Sequence, residues 1–256
     1  MKSNEQYKAI WEKEEQAPFC GWDFSHLAGR LEEEPLPWDY RQLVLSFLAP
    51  SLRLLDMGTG AGEFLLTLGH PYTLTSVTEG YPPNLALCRE RLLPLGIEVS
   101  LVFESGPLPF EDGRFDLVLN RHESFDPAEA RRVLKPGGLF LTQQVGGRNN
   151  RDLSRLLIPD FISPFPHHDL THCCKALEQA GFSVFRGEEY FPRSRFRDVG
   201  ALVYFAKALP WEFPGFSVDR CFDRLLEAQA QLEREGYLPG TEHRFLLAAR
   251  SPVPPI

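Results

Sequence analysis

The stretch Leu54-Leu55-Asp56-Met57-Gly58-Thr59-Gly60-Ala61-Gly62-Glu63-Phe64-Leu65-Leu66 constrains the fold of this 256-residue chain more than any other. An apolar run ends at an acid, glycines follow at alternate positions, and apolar residues then recur at helical spacing. That order reads as strand, tight loop and helix. Glycine lacks a Cβ, so the loop can take left-handed backbone angles and let a ligand lie against the main chain. The combination marks the nucleotide-facing corner of a doubly wound α/β sheet.

Later segments continue the alternation. Gly69 and Pro71 end the first helix, and Tyr72 to Thr78 reads as a strand closing on Glu79, 23 residues after Asp56. An acid at that distance, at the end of a second strand, is placed to accept hydrogen bonds from two ribose hydroxyls. A helix begins near Pro82 and Pro83, with Leu85, Cys88 and Leu92 on one face. Ile97 to Phe103 reads as the third strand and Phe115 to His122 as the fourth strand and its exit. Asp126-Pro127-Ala128-Glu129 reads as a helix start with Asp126 as N-cap and Glu129 reaching back in a capping box. Pro136-Gly137-Gly138 then leads into a fifth strand, Leu139 to Val145.

Two ligand classes could use the glycine loop. A dinucleotide goes with G-x-G-x-x-G, its pyrophosphate on the helix N-terminus. Here the spacing is G-x-G-x-G, and the third dinucleotide position is Glu63, whose charge opposes a pyrophosphate but suits a ligand carrying a sulfonium and an ammonium group. With its acid-tipped strand, G-x-G-x-G loop, F-D-L-V at Phe115–Val118 and R-V-L-K-P-G-G-L-F-L at 132–141, the chain resembles the class I S-adenosylmethionine-dependent methyltransferases. The resemblance covers about residues 38 to 182 and is closest to the small-molecule branch, methyltransferase type 11-like.

The resemblance implies a doubly wound, mostly parallel seven-stranded sheet in the order 3-2-1-4-5-7-6, last strand antiparallel, with helices on both faces. It implies S-adenosylmethionine held by Asp56, Gly58, Thr59, Gly60, Gly62, Glu79 and Gly80. Glu104 and Ser105 would meet the adenine edge, and Asn120 and Arg121 would border the transferable methyl. His122 and Glu123, just past the fourth strand, are the candidates for a base or orienting group. His26, His167 and His168 are weaker ones. The expected reaction is in-line methyl transfer to a small-molecule acceptor. The alternatives are an RNA or protein methyltransferase and a non-catalytic cofactor-binding member of the fold.

One domain is expected: an N-terminal helical cap over 1–50, a cofactor-binding core over 51–190, an insertion near the acceptor site over 191–240, and a final strand and tail over 241–256. The cap holds an amphipathic helix over 4–16 and one from Asp39 to Leu48. Its aromatics Trp11, Phe19, Trp22, Phe24 and Trp38 are expected to pack on the sheet edge. Beyond the core, a polar loop at 146–151 and an aromatic, proline-rich lid candidate at 159–168 lead to a helix over 169–180. A strand follows over 182–190. Arg193, Arg195 and Arg197 share one face if extended, and a solvated surface paired with Glu188 and Glu189 is the reading for them. Helices are expected over 199–208 and 218–235, and a last strand over 243–250.

Composition narrows the partners. A formal net charge of -8 argues against a long polyanionic substrate, so nucleic acid is not an expected partner. No apolar run approaches the roughly 18 residues that span a bilayer, and the N-terminal residues are polar, so no membrane is expected and a cytoplasmic location is. Five scattered cysteines form no C-x-x-C pair and read as reduced thiols. His168 and His172 stand beside Cys173 and Cys174, but no second spaced pair completes a tetrahedral set, and no metal is expected.

Overall fold

The computed structural model describes residues 2–19, 23–103 and 106–253. Cys20 and Trp22 of the aromatic run, and the adenine-edge candidates Glu104 and Ser105, lie outside the described residues. In chain order the elements are α1 (Asn4–Glu15), β1 (Leu31–Glu33), α2 (Tyr40–Phe47), β2 (Leu54–Met57), α3 (Glu63–Leu66), β3 (Thr75–Glu79), α4 (Pro82–Leu92) and β4 (Glu98–Leu101). Then follow β5 (Phe115–Arg121), α5 (Pro127–Val133), β6 (Leu134–Val145), α6 (Arg151–Leu157), α7 (Leu170–Gln179) and β7 (Ser183–Tyr190). The chain continues with β8 (Arg193–Phe196), α8 (Val199–Ala208), α9 (Phe222–Glu235), β9 (Leu238–Thr241) and β10 (Arg244–Arg250).

These elements form two compact units, each assembled from three stretches of chain. One comprises Pro37–Val145, His168–Glu189 and Phe245–Ile256. It holds a seven-stranded sheet in the order β4-β3-β2-β5-β6-β10-β7, which is 3-2-1-4-5-7-6 when its strands alone are counted. β2 is parallel to β3 and β5, β3 to β4, and β5 to β6. β10 runs antiparallel to β6, since the Ser251 N–H donates to the Gly138 carbonyl at 2.8 Å and the Gly137 N–H to the Ser251 carbonyl at 3.1 Å. Every residue of β2 and β3 is buried, as expected of parallel strands covered on both faces, whereas the outermost strand β7 alternates exposed and half-buried residues. Leu55, Val118, Phe140, Phe245 and Leu247 lie at the centre of its core.

The sequence motifs fall where expected, with two local corrections. Pro136-Gly137-Gly138 does not precede the fifth strand but lies inside it. β6 starts at Leu134, and the irregularity is absorbed as a register shift opposite Phe115 and Leu117, with Gly137 at φ 77°. Glu129 does not close a capping box. Asp126 caps α5 through the Ala128 N–H, and Glu129 instead accepts the Leu108 N–H at 2.7 Å and pairs with Arg132.

The other unit comprises Met1–Leu36, Gly146–His167 and Tyr190–Arg244. It packs α1, α6, α8 and α9 with a three-stranded antiparallel sheet, β1-β8-β9, that the sequence reading did not contain. Of the aromatics expected on the sheet edge, Trp11, Phe19 and Phe24 belong to this unit and pack within it: Trp11 stacks with Tyr7 (5.3 Å), and Phe19 and Phe24 meet Tyr204 and Phe205 of α8. Arg30 ties α1 to α8 through Glu14 (2.9 Å) and Asp198 (2.6 Å). The arginine stripe lies on the exposed face of β8 as alternation predicts, but its partners are not Glu188 and Glu189. Arg197 takes Glu32 (2.7 Å), Arg195 lies over the Tyr237 ring (4.9 Å), and the Arg193 N–H donates to Glu34 (2.9 Å).

Candidate cofactor and acceptor site

The loop from β2 to α3 is built on left-handed glycines, Gly58 (φ 64°), Gly60 (φ 66°) and Gly62 (φ 84°). Two buried carboxylates hold its shape from opposite sides. Asp56, at the end of β2, accepts from the Thr59 hydroxyl at 2.7 Å. Glu79, at the end of β3, accepts the Gly60 N–H and the Tyr81 N–H, each at 2.8 Å. The Thr59 N–H reaches the Thr78 carbonyl at 3.1 Å, and the Cys88 thiol donates to the Gly60 carbonyl at 2.7 Å. Burial pushes the Asp56 carboxyl up to about 6, against the opposing pull of Thr59 and Arg121, and pushes the Cys88 thiol up to about 12.

Packing explains why small residues stand here. A Cβ on Gly80 would lie 2.6 Å from the Val102 carbonyl, a backbone atom that cannot yield. A Cβ on Gly62 would meet the Leu92 side chain at 2.8 Å. At Gly60 it would meet only Glu63, at 4.0 Å, so this part of the loop is open on its outer side. At Gly58 the neighbour is the flexible side chain of Glu123. Met57, Gly58, Thr78, Gly80, Val102, Glu123 and Ser124 line a cavity of about 10 Å³, room for about one water.

The exit of β5 carries the remaining candidates. Asn120 is fully buried, and its carbonyl oxygen accepts the Thr142 hydroxyl at 3.0 Å, while its amide nitrogen has no partner among the described residues. The Arg121 guanidinium lies 5.0 Å over the Phe64 ring. His122 has φ 61°, an uncommon conformation for a residue with a Cβ, and its N–H donates to the Gln143 carbonyl at 2.8 Å. Its ring meets the Gln143 side chain at 3.1 Å. Glu123 bonds Ser124 and lies against Gly58, on the loop side of the exit. His26 belongs to the other unit, in the Glu14–Arg30 network.

Sequence reasoning missed three residues of this neighbourhood, Tyr40, Gln143 and Gln144, and gave Trp38 only as an aromatic on the sheet edge. The Trp38 indole donates to Gln143 (2.8 Å), and the Tyr40 hydroxyl, buried and held above its ordinary pKa, donates to the Leu141 carbonyl (2.9 Å). Gln144 donates to the Thr142 hydroxyl (2.7 Å) and the Glu123 carbonyl (3.1 Å), and its carbonyl oxygen lies 3.3 Å from His168 Nε2. The signal available was the pair Gln143-Gln144, two adjacent amides near the end of the strand after the apolar run Leu139–Leu141. At the other candidate loop, Asn149 and Asn150 both donate to the buried Glu212 (2.7 and 2.8 Å). Among the described residues no three histidine, cysteine or acidic side chains converge as a metal site would require.

Comparisons with known proteins bear on the domain that carries this loop. Residues 55–142 match a family described as a methyltransferase domain. A demethylmenaquinone methyltransferase of Thermus thermophilus is 34% identical over 113 residues, 40% of this chain and 51% of its own, so the chain spans about half the length of the curated relative it matches. A solved protein of Bacillus halodurans superposes with TM-score 0.57 at 17% identity, covering 84% of this chain and 99% of that one. The [4+2]-cyclase SpnF superposes with TM-score 0.54 at 18% identity over 98% and 95%. At such identities the two structures speak for the fold alone.

Proposed function

We propose, on the premise that this chain carries a class I S-adenosylmethionine-dependent methyltransferase domain, that it transfers a methyl group to a small-molecule acceptor. The observation that carries the reading is the glycine loop clamped between Asp56 and Glu79. Its donors and acceptors fit the cofactor. Each Glu79 oxygen accepts one backbone N–H and retains lone pairs for a ribose diol. The open face at Gly60 admits a ligand against the main chain, and two buried acids suit a cationic ligand better than a pyrophosphate.

Bound there, S-adenosylmethionine supplies a methyl group made electrophilic by its sulfonium. The protein's own contribution is positional. Glu123 lies against Gly58 and lines the small cavity beside the loop. The β5 exit then aligns the acceptor and excludes water, the main demands of an in-line displacement. Glu123 lines the cavity and His122 precedes it at the β5 exit, and the two serve to orient the acceptor or take its proton. The small-molecule acceptor is supported by the relative's name and by the acidic charge balance, which disfavours RNA.

Calorimetric titration tests the reading. S-adenosylmethionine should bind while NAD does not, and Asp56→Ala and Glu79→Ala should each weaken binding. Absence of S-adenosylmethionine binding under all conditions tried would remove the reading, because the fold alone hosts several chemistries.

A further inference from the structure

The hydrogen bonds around Gln143 determine where the proton sits on His122. An indole N–H only donates, so the Gln143 atom 2.8 Å from Trp38 Nε1 is the carbonyl oxygen. The Gln143 amide nitrogen therefore faces His122 Nε2, at 3.1 Å. An amide nitrogen has no lone pair to offer, so Nε2 must be the acceptor. A proton on Nε2 would set two donors against each other. The Trp38–Gln143 bond is buried, which keeps water from replacing it and fixes the amide, while the Gln143–His122 contact is part-buried with His122 itself exposed. The same residue also holds the His122 backbone, through its carbonyl, in the left-handed conformation that aims the ring.

We propose that Trp38 and Gln143 are positioning residues that hold His122 as the neutral Nδ1–H tautomer, so that His122 orients the acceptor and does not deprotonate it. With Nε2 engaged and Nδ1 protonated, neither ring nitrogen can take a proton while the Gln143 bond stands. Any proton that must leave the acceptor then goes to another group or is lost before binding. The tautomer rests on the hydrogen bonds alone, whereas its use in methyl transfer rests on the function proposed above.

The test is long-range ¹H–¹⁵N correlation of the imidazole nitrogens in the full chain, with His122 identified by the signals absent in His122→Gln. His243 supplies an internal reference of opposite sense: its Nδ1 accepts the Arg148 backbone N–H at 3.2 Å, so its proton belongs on Nε2. Wild-type protein should show His122 protonated at Nδ1 in preference to Nε2 by on the order of tenfold, the selectivity of one good hydrogen bond. Trp38→Phe removes the donor that fixes the Gln143 amide and should bring the two tautomers toward equal populations. Gln143→Glu should move the proton to Nε2. A merely structural role for Trp38 would leave the tautomer unchanged in a folded Trp38→Phe chain. A wild-type ring protonated at Nε2, or a Trp38→Phe ring unchanged from wild type, overturns the proposal. S-adenosylmethionine affinity measured on the same samples separates the two failures, since absent binding counts against the proposed function and leaves the tautomer standing.

Discussion

Glu79 and Gly60 are 19 residues apart, yet the carboxylate of the first accepts the backbone N–H of the second at 2.8 Å. The residue placed to recognise a ribose thus also shapes the loop beneath it.

Glu79→Ala should therefore cost stability as well as affinity. It leaves the Gly60 and Tyr81 N–H groups without their acceptor, a loss of about 1–3 kcal/mol if water does not replace it. Urea unfolding should show that loss, and calorimetry should show S-adenosylmethionine affinity reduced at least about tenfold, given the strength of charge-assisted bonds. Unchanged affinity would exclude Glu79 from the cofactor site.

Asp56 carries a pH signature. Its folded-state value is raised to about 6, so the folded chain keeps a proton that the unfolded chain releases near pH 4. Stability consequently falls as pH rises through that window, by roughly 3 kcal/mol at most, and the penalty is fully present above it. Asp56→Asn, which still accepts from Thr59, should flatten the slope of unfolding free energy between about pH 4 and pH 6. A slope equal to that of wild type would refute the assignment.

Gly80→Ala should prove more damaging than Gly29→Ala. The added methyl at Gly80 meets the Val102 carbonyl, whereas at Gly29 it meets nothing within 4 Å and only the left-handed φ of 73° is unfavourable. Thermal unfolding should separate them, with overpacking at Gly80 costing about 1–3 kcal/mol or more and Gly29→Ala about 1 kcal/mol.

Glu212 tests the second unit by itself. Burial raises its pKa, and the Asn149 and Asn150 amides oppose that shift. Glu212→Ala should cost about 2–4 kcal/mol by leaving two buried amides unpaired. Glu212→Gln, which keeps an acceptor oxygen, should cost less. Equal losses in chemical denaturation would mean that packing, not hydrogen bonding, dominates there.

The large sheet was legible in the sequence because each of its signals is local: an acid before a glycine loop, a proline at a helix start, an apolar run of strand length. The places of Asp56 and Glu79 at strand ends follow from the same motifs, but their bonds to Thr59, Gly60 and Tyr81 do not. The three-stranded sheet was not legible, since β1, β8 and β9 have three or four residues each and pair across long sequence separations. Gln143 was overlooked for a related reason. A polar residue in a strand acquires meaning only from its partners, and Trp38 is 105 positions away. Glu129 shows the converse, a local capping signal overridden by the Leu108 N–H and Arg132.

The strand order has a consequence for synthesis. β10 is the last strand of the large sheet to be translated, yet it lies between β6 and β7. Until its residues leave the ribosome, β7 has no neighbour in that sheet and the far side of β6 is an open edge. A nascent chain stalled just short of Arg244 therefore lacks the strand that joins β7 to the rest of its sheet. Such a chain would present two adhesive strands to a chaperone, or to another copy of itself.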